Sequence, residues 1–268
     1  MKMIKAKSII VALTAAAGLT AGAWAAGSSV ELKQKDWTFD GPFGTFDRPA
    51  AQRGFQVYRE VCSSCHSLKY FKFRNLADLG YNDDMIKAFA AEYEVVDAEP
   101  DENGDEKIRK GEPKDGIPAP FANENAARAS NNGAYPPDLS LMTKARADGA
   151  NYLYSLLTGY IDAPSGTKIA EGMSYNAYFP GHQIAMGAPL MDDGVDYGDG
   201  TAATLDQMSY DVTNFLHYVA EPKLEARHKM GAAVMIFLIF MTILTWLANK
   251  RIWKPVKEGK TLWEHGDD

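Results

Sequence analysis

Three stretches of the chain carry a clear apolar pattern. Met208, Val212, Phe215, Leu216 and Val219 recur at i, i+4, i+7, i+8 and i+11. That spacing predicts an amphipathic helix, which Glu221-Pro222 ends. From Gln52 a second helical pattern begins, in which Gly54, Tyr58 and Cys62 recur every four residues and share one face. A glycine on that face lets another helix cross closely, and the 208–219 helix is the candidate partner. The third stretch, Met230 to Asn249, is 20 residues without a charge. At ~1.5 Å per residue it spans a hydrocarbon core of about 30 Å. A buried core helix is normally shorter and keeps a polar stripe.

Weaker patterns fill the space between. Asp83 to Ala91 reads as a short helix, and Ala122 to Asn132 as a polar helix followed by a turn. Asn151 to Thr158 reads as a helix stopped by Gly159. Val30 to Pro49 is aromatic and turn-rich, with Gly41-Pro42 and Arg48-Pro49 as breakers, and reads as an arm wrapping the rest. Glu92 to Gly116 is acidic and turn-rich, either a docking surface or a solvated loop. At the N-terminus, Lys2, Lys5 and Lys7 precede the apolar run Ser8 to Thr20 and the Ala-x-Ala site Ala23-Trp24-Ala25. That is the pattern of a secretory signal peptide covering residues 1–25.

The flanks of the long apolar run give it a direction. Lys250, Arg251, Lys254, Lys257 and Lys260 follow it, and the positive-inside rule places them in the cytoplasm. The expected topology is a periplasmic domain over 26–229, one transmembrane helix over 230–249 and a cytoplasmic tail over 250–268, in the inner membrane. A chain of 268 residues, 46% hydrophobic and 24% charged, is long enough for one large domain or two small ones. Its net charge is −7. Without the three leader lysines and the +1 of the tail, the head and anchor carry −11. Such a surface steers basic partners and excludes nucleic acid, which needs a basic face.

The chemistry concentrates at Cys62-Ser63-Ser64-Cys65-His66. Cys-x-x-Cys-His is the attachment signature of a c-type haem. Two thiols three residues apart can add across the two vinyl groups of one haem, with the adjacent histidine held under the iron. A redox disulfide or half a zinc site are the competing readings. A zinc site needs two more ligands, and the chain has only 2 Cys. Several residues could supply a sixth iron ligand. Of the 5 His, His217 falls on the polar edge of the C-terminal amphipathic helix, His228 at the membrane surface and His265 in the tail. His182 lies close to Met186, and Met142, Met173 and Met191 lie in irregular regions.

Ordered blocks then carry a resemblance. They are Arg53-Gly54-Phe55-Gln56-Val57-Tyr58 before the haem motif, Asn131 to Ser140 (NNGAYPPDLS), Tyr152 to Tyr160 (YLYSLLTGY), Phe179 to Met186 (FPGHQIAM), and Asp199-Gly200-Thr201 onward to Met230. In these the chain resembles the cytochrome c1 family of the quinol–cytochrome c oxidoreductase (cytochrome bc complex), over roughly Trp37 to Lys254. The fold this implies is mainly α, a class I cytochrome c-like haem domain with large insertions plus one C-terminal transmembrane helix. The resemblance implies one covalent haem c on Cys62 and Cys65, with His66 and Met186 as axial ligands. It implies that the Pro137 carbonyl accepts the free N–H of His66, that Arg146 pairs with a haem propionate, and that Tyr152 lines the pocket. Two departures are visible. Gly187-Ala188-Pro189 follows Met186 where the family usually has a proline pair, and the extra cysteine pair of some bacterial relatives is missing.

The implied role is electron transfer rather than catalysis by the chain alone. One electron passes from a Rieske iron–sulfur protein to a basic cytochrome c, alongside cytochrome b and membrane lipid. Two other readings have the same motif. One is a membrane-anchored cytochrome c serving a terminal oxidase directly. The other is a haem sensor or enzyme with an open sixth position.

Overall fold

The computed structural model describes residues 30–97, 99–100 and 102–259. The signal peptide expected over 1–25 lies outside the described residues, as does the tail beyond 259. From Leu32 onward the chain forms one unit.

Two crossed helices organise it. Helix α1, Arg48–Glu60, runs directly into the 3₁₀ turn Cys62–Ser64. Arg48-Pro49, read from sequence as a breaker, instead opens this helix. Asp47 caps it by accepting from the Ala50 N–H at 3.1 Å, and proline suits a first turn that needs no N–H. Helices α2 (Asp83–Ala91), α3 (Glu124–Ser130) and α4 (Gly149–Leu157) follow. Helix α5, Leu205–Ala220, crosses α1 at Gly54. A Cβ at Gly54 would stand 2.0 Å from the Asp211 carbonyl oxygen, so only glycine permits the approach. Met208, Val212, Phe215 and Leu216 are buried as their spacing predicts, and Phe215 meets the rings of Phe55, Tyr58 and Phe71 within 6 Å.

The strands are short and pair in three antiparallel ribbons. They are β1 (Leu68–Lys72) with β4 (Gly116–Ile117), β2 (Glu94–Val96) with β3 (Ile108–Lys110), and β5 (Ser174–Tyr175) with β6 (Gln183–Ile184). The acidic 92–116 segment is therefore a hairpin. Several of its carboxylates are matched locally: Asp97 to Arg109 at 3.5 Å, Asp115 to Arg109 at 2.6 Å and Glu94 to Lys110 at 3.6 Å.

The N-terminal arm is part of the core rather than a wrapping. Trp37 stacks on Phe39 and Tyr210 and donates its indole N–H to Asn151 at 2.8 Å. Its presence moves His217 off the polar edge expected from sequence. The imidazole stacks on Phe39 at 3.9 Å, and its Nδ1 is enclosed with no hydrogen-bond partner among the described residues. Burial drives the His217 pKa down to about 4, against the pull of Glu221, with Lys144 and Arg227 adding to the fall. A depressed histidine binds its proton in the unfolded chain first, so folding stability falls as pH drops from 6.5 towards 4. His217→Leu should remove on the order of 2 kcal/mol from that acid slope while leaving stability above pH 7 nearly unchanged. Thermal melts from pH 7.5 to 4.5 measure it; parallel slopes in both proteins would refute the assignment.

Helix α6 runs from Leu224 to Lys257, starting before Met230 and continuing past Asn249. It is longer than the apolar run because polar ends extend it. Glu225 in its first turn and Lys254 and Lys257 in its last suit the helix dipole. It is long and apolar enough to cross a membrane, and the apolar stretch is not buried against the head. Thr242 and Thr245 return their hydroxyls to the carbonyls of Leu238 and Met241 at 2.7 and 2.8 Å, so neither is unsatisfied in hydrocarbon.

The top of α6 is fastened to the start of α1. Glu225 takes both Arg48 guanidinium nitrogens at 3.2 and 3.0 Å and the Phe46 N–H at 2.9 Å. His228 Nδ1 lies 3.1 Å from the Gly44 carbonyl, and Leu224 is buried in the core. Glu221 pairs with both Lys144 and Arg227 across the joint.

Candidate haem site

The site is built where α1 ends. The helix delivers Val57, Tyr58 and Val61 to the core and then tightens, so Cys65 and His66 both donate their N–H to the Cys62 carbonyl, at 3.1 and 2.9 Å. Both thiols are free and half-buried. Burial, with Cys65 second, pushes the Cys62 thiol up to about 12, so it stands neutral.

His66 is fixed by the other half of the site. Its Nδ1 lies 2.7 Å from the Pro137 carbonyl oxygen. A carbonyl can only accept, so Nδ1 carries the hydrogen and Nε2 keeps a free lone pair. Burial keeps the ring's pKa low, while the Pro137 carbonyl and Asp138 pull the other way. A neutral imidazole with one nitrogen anchored and the other free is the form that binds a metal.

Asp138 holds these two segments together. Its carboxylate accepts from the Ser67 hydroxyl at 2.7 Å, the Lys69 N–H at 2.9 Å and the Ser140 N–H at 2.9 Å. Burial alone would raise its pKa, but these donors hold it below the usual carboxylate range. Leu139 N–H donates to the Ser67 carbonyl at 3.0 Å, and Tyr58 OH to the His66 carbonyl at 2.8 Å. Cys65 Sγ lies 3.7 Å from Asn131 Oδ1, tying in the end of α3. The structure thus brings Cys62, Cys65, His66 and Pro137 together. Sequence reasoning gave Asp138 no role, because its partners stand about seventy residues earlier.

The remaining candidates sit elsewhere. Met186 is half-buried just beyond β6, with its carbonyl accepting from Tyr160 OH at 3.1 Å. Tyr152 is half-buried on α4 and close enough to Tyr160 to influence it, although burial is the larger reason that Tyr160's hydroxyl is pushed up. Arg146 is exposed, and among the described residues its guanidinium donates only to the Ala145 carbonyl, at 3.1 Å. Its charge has no carboxylate partner there. His182 has a positive φ of 59°, stacks on Tyr175 and points Nδ1 at the Asn176 carbonyl 3.3 Å away.

The donor set fits a haem held through two thioethers and one imidazole. No group of three or more His, Cys, Asp or Glu side chains is placed to hold a metal ion among the described residues. The zinc reading therefore gains no further ligands there.

Sequence comparison supplies the family. The sequence profile of the "Cytochrome C1 family" matches residues 37–256. "Cytochrome c1" of Rhodospirillum rubrum is 47% identical over 267 residues, covering 94% of this chain and 98% of that one. "Cytochrome b-c1 complex catalytic subunit, mitochondrial" of Candida albicans is 48% identical over 226 residues, 84% of this chain and 78% of that one. "Cytochrome b/c1" of Bradyrhizobium diazoefficiens is 44% identical over 272 residues, 92% of this chain but 39% of that longer protein. With the profile running from Trp37 through the haem motif and into the membrane helix, the chain belongs to the cytochrome c1 family.

Proposed function

We propose that this chain is the one-electron relay of a quinol–cytochrome c oxidoreductase. It receives electrons from a Rieske iron–sulfur protein and delivers them to a basic cytochrome c. Family members carry a single covalently bound haem c, and the chain is a single-pass membrane protein. A haem bound this way supplies reversible one-electron chemistry. Cys62 and Cys65 would hold it covalently, with His66 and Met186 as the side chains that would bind its iron. Such a site carries electrons and binds no substrate. Arg146 is the candidate for a propionate partner, since its guanidinium meets no carboxylate among the described residues, and Tyr152 for the pocket wall. The observation that carries the reading is the 2.7 Å contact of His66 Nδ1 with the Pro137 carbonyl, which leaves Nε2 for iron.

Cytochrome b is the nearest partner. The names of the Bradyrhizobium and Candida relatives support this, "Cytochrome b/c1" for one and a cytochrome b-c1 complex subunit for the other. The head faces the periplasm and the tail the cytoplasm of the inner membrane, because Lys250, Arg251, Lys254 and Lys257 crowd the far end of α6.

Purification of the detergent-solubilised complex tests the reading. Cytochrome b and a Rieske protein should copurify, and quinol should reduce the haem c only when both are present. Isolation with a terminal oxidase and no cytochrome b would refute it. Electron transfer onward to a basic cytochrome c should slow severalfold between low salt and 0.2 M, since the screening length shrinks to about 10 Å by 0.1 M. Local pairing in the 92–116 hairpin argues that the whole acidic head supplies this field. Stopped-flow rates that stay flat across salt would remove the steering idea.

A further inference from the structure

Four aromatic residues punctuate the arm: Trp37, Phe39, Phe43 and Phe46. Three of them are buried at 6%, 3% and 7% exposure, whereas Phe43 is 81% exposed. One exposed phenylalanine is unremarkable by itself. Its surroundings give this one a meaning. Phe43 lies in a tight turn in which Gly41 has a φ of +77° and Gly44 donates to the Gly41 carbonyl at 3.3 Å. Thr45 N–H closes the base of the turn onto the Thr38 carbonyl at 2.9 Å. A Cβ on Gly44 would meet the Phe39 carbonyl oxygen at 2.2 Å, so the turn has little freedom to reshape.

The turn is also tied to the membrane helix. His228 of α6 reaches the Gly44 carbonyl, and Glu225, one turn earlier, holds Phe46 and Arg48. His228 precedes Met230, the first residue of the charge-free run, by two residues, or about 3 Å of helix. Phe43 is next to the tethered Gly44, and neighbouring Cα atoms are ~3.8 Å apart. Phe43 therefore belongs to the part of the head that is tied to α6 just before the charge-free run begins. Just before that run stand Arg227, which also pairs with Glu221, and Lys229, cations of the kind that face lipid phosphates.

We infer that the Gly41–Gly44 turn is a second contact with the bilayer, with Phe43 entering the headgroup and upper acyl region beside α6. The occupant of the exposed ring is lipid, argued from its continuity with the membrane-spanning helix. Two points of contact would hold the head at one tilt to the bilayer. The inference rests on α6 being the membrane span.

A nitroxide label tests it. Cys62 and Cys65 are taken by the haem, so Phe43→Cys introduces one new thiol into this subunit. The full complex is labelled and reconstituted in phosphatidylcholine–phosphatidylglycerol vesicles. Label on cysteines of other subunits is subtracted with the unsubstituted complex. The expected result is a mobile label whose oxygen-to-nickel-chelate collision ratio is severalfold above that of a water-exposed site. Equal access to both reagents would place the turn in water and overturn the inference. An immobilised label shielded from both would make the occupant another protein subunit and overturn it equally. A second label, at Phe240→Cys on α6, separates the two failures. If that label too reads as aqueous, the membrane reading of α6 itself is wrong.

Discussion

Met186→Leu leaves the haem attached and lowers its reduction potential by about a tenth to a few tenths of a volt, within the ~0.8 V range that axial ligands span. The thioether favours ferrous iron, and leucine offers nothing in its place. The vacated position should also bind carbon monoxide in the reduced protein. Met186 stands on a firmly mounted loop. Strand β6 pairs with β5, Tyr160 bridges Asn176, and Tyr160 OH holds the Met186 carbonyl. Asn176 is fully buried, donates to the Leu156 carbonyl at 2.8 Å and accepts from the Tyr178 and Phe179 N–H groups. The backbone that carries Met186 is therefore held on a fixed base. His182, the nearest rival, is engaged with Tyr175 and the Asn176 carbonyl. His182→Ala should shift the potential little. Optical redox titration of both variants decides between them. A normal potential in Met186→Leu, with a large fall in His182→Ala, would hand the sixth position to the histidine.

The helices were legible because each buries one face over several turns, which leaves a period in the sequence. Gly54 was legible as a crossing point for the same reason, since it falls on the face that carries Tyr58 and Cys62. The ribbons were not. Each of β2 to β6 is two or three residues long, too short to show an alternation. The haem motif stood out from spacing alone, and the Pro137 partner of His66 came from family resemblance. The Asp138 clip left no local trace, because its meaning depends on Ser67 and Lys69 arriving from far away. His217 was misplaced for a related reason. Its face is polar by sequence and becomes buried only when Phe39 folds over it. The same holds for Arg48, which looked like the end of an arm and is a tie to the membrane helix.

Arg53→Leu should destabilise the protein by about 3 to 5 kcal/mol, the range for removing one partner of a buried ion pair. The guanidinium grips Asp211 at 2.9 and 3.0 Å and reaches Asp199 at 3.0 Å. The Asp211 side chain is 0% exposed and that of Arg53 only 16%. Burial pushes the Asp211 carboxyl up, and the Arg53 fork, helped by Gln207 at 3.0 Å, is what pulls it back. Without the arginine, the neutral donors Gln207 and Tyr197 cannot compensate an enclosed carboxylate. Helix α5 must then open to water or take up a proton at this point, one residue from the Gly54 crossing. Because α1 leads straight into Cys62, the loosened crossing should show as reduced haem attachment before general unfolding. The double variant Arg53→Leu/Asp211→Leu should recover most of the loss, since it removes the stranded charge along with its partner. Thermal melts of the purified complex and haem content per subunit measure both effects. A single variant as stable as the parent, with full haem, would show that the crossing is held by the aromatic contacts of Phe215 alone.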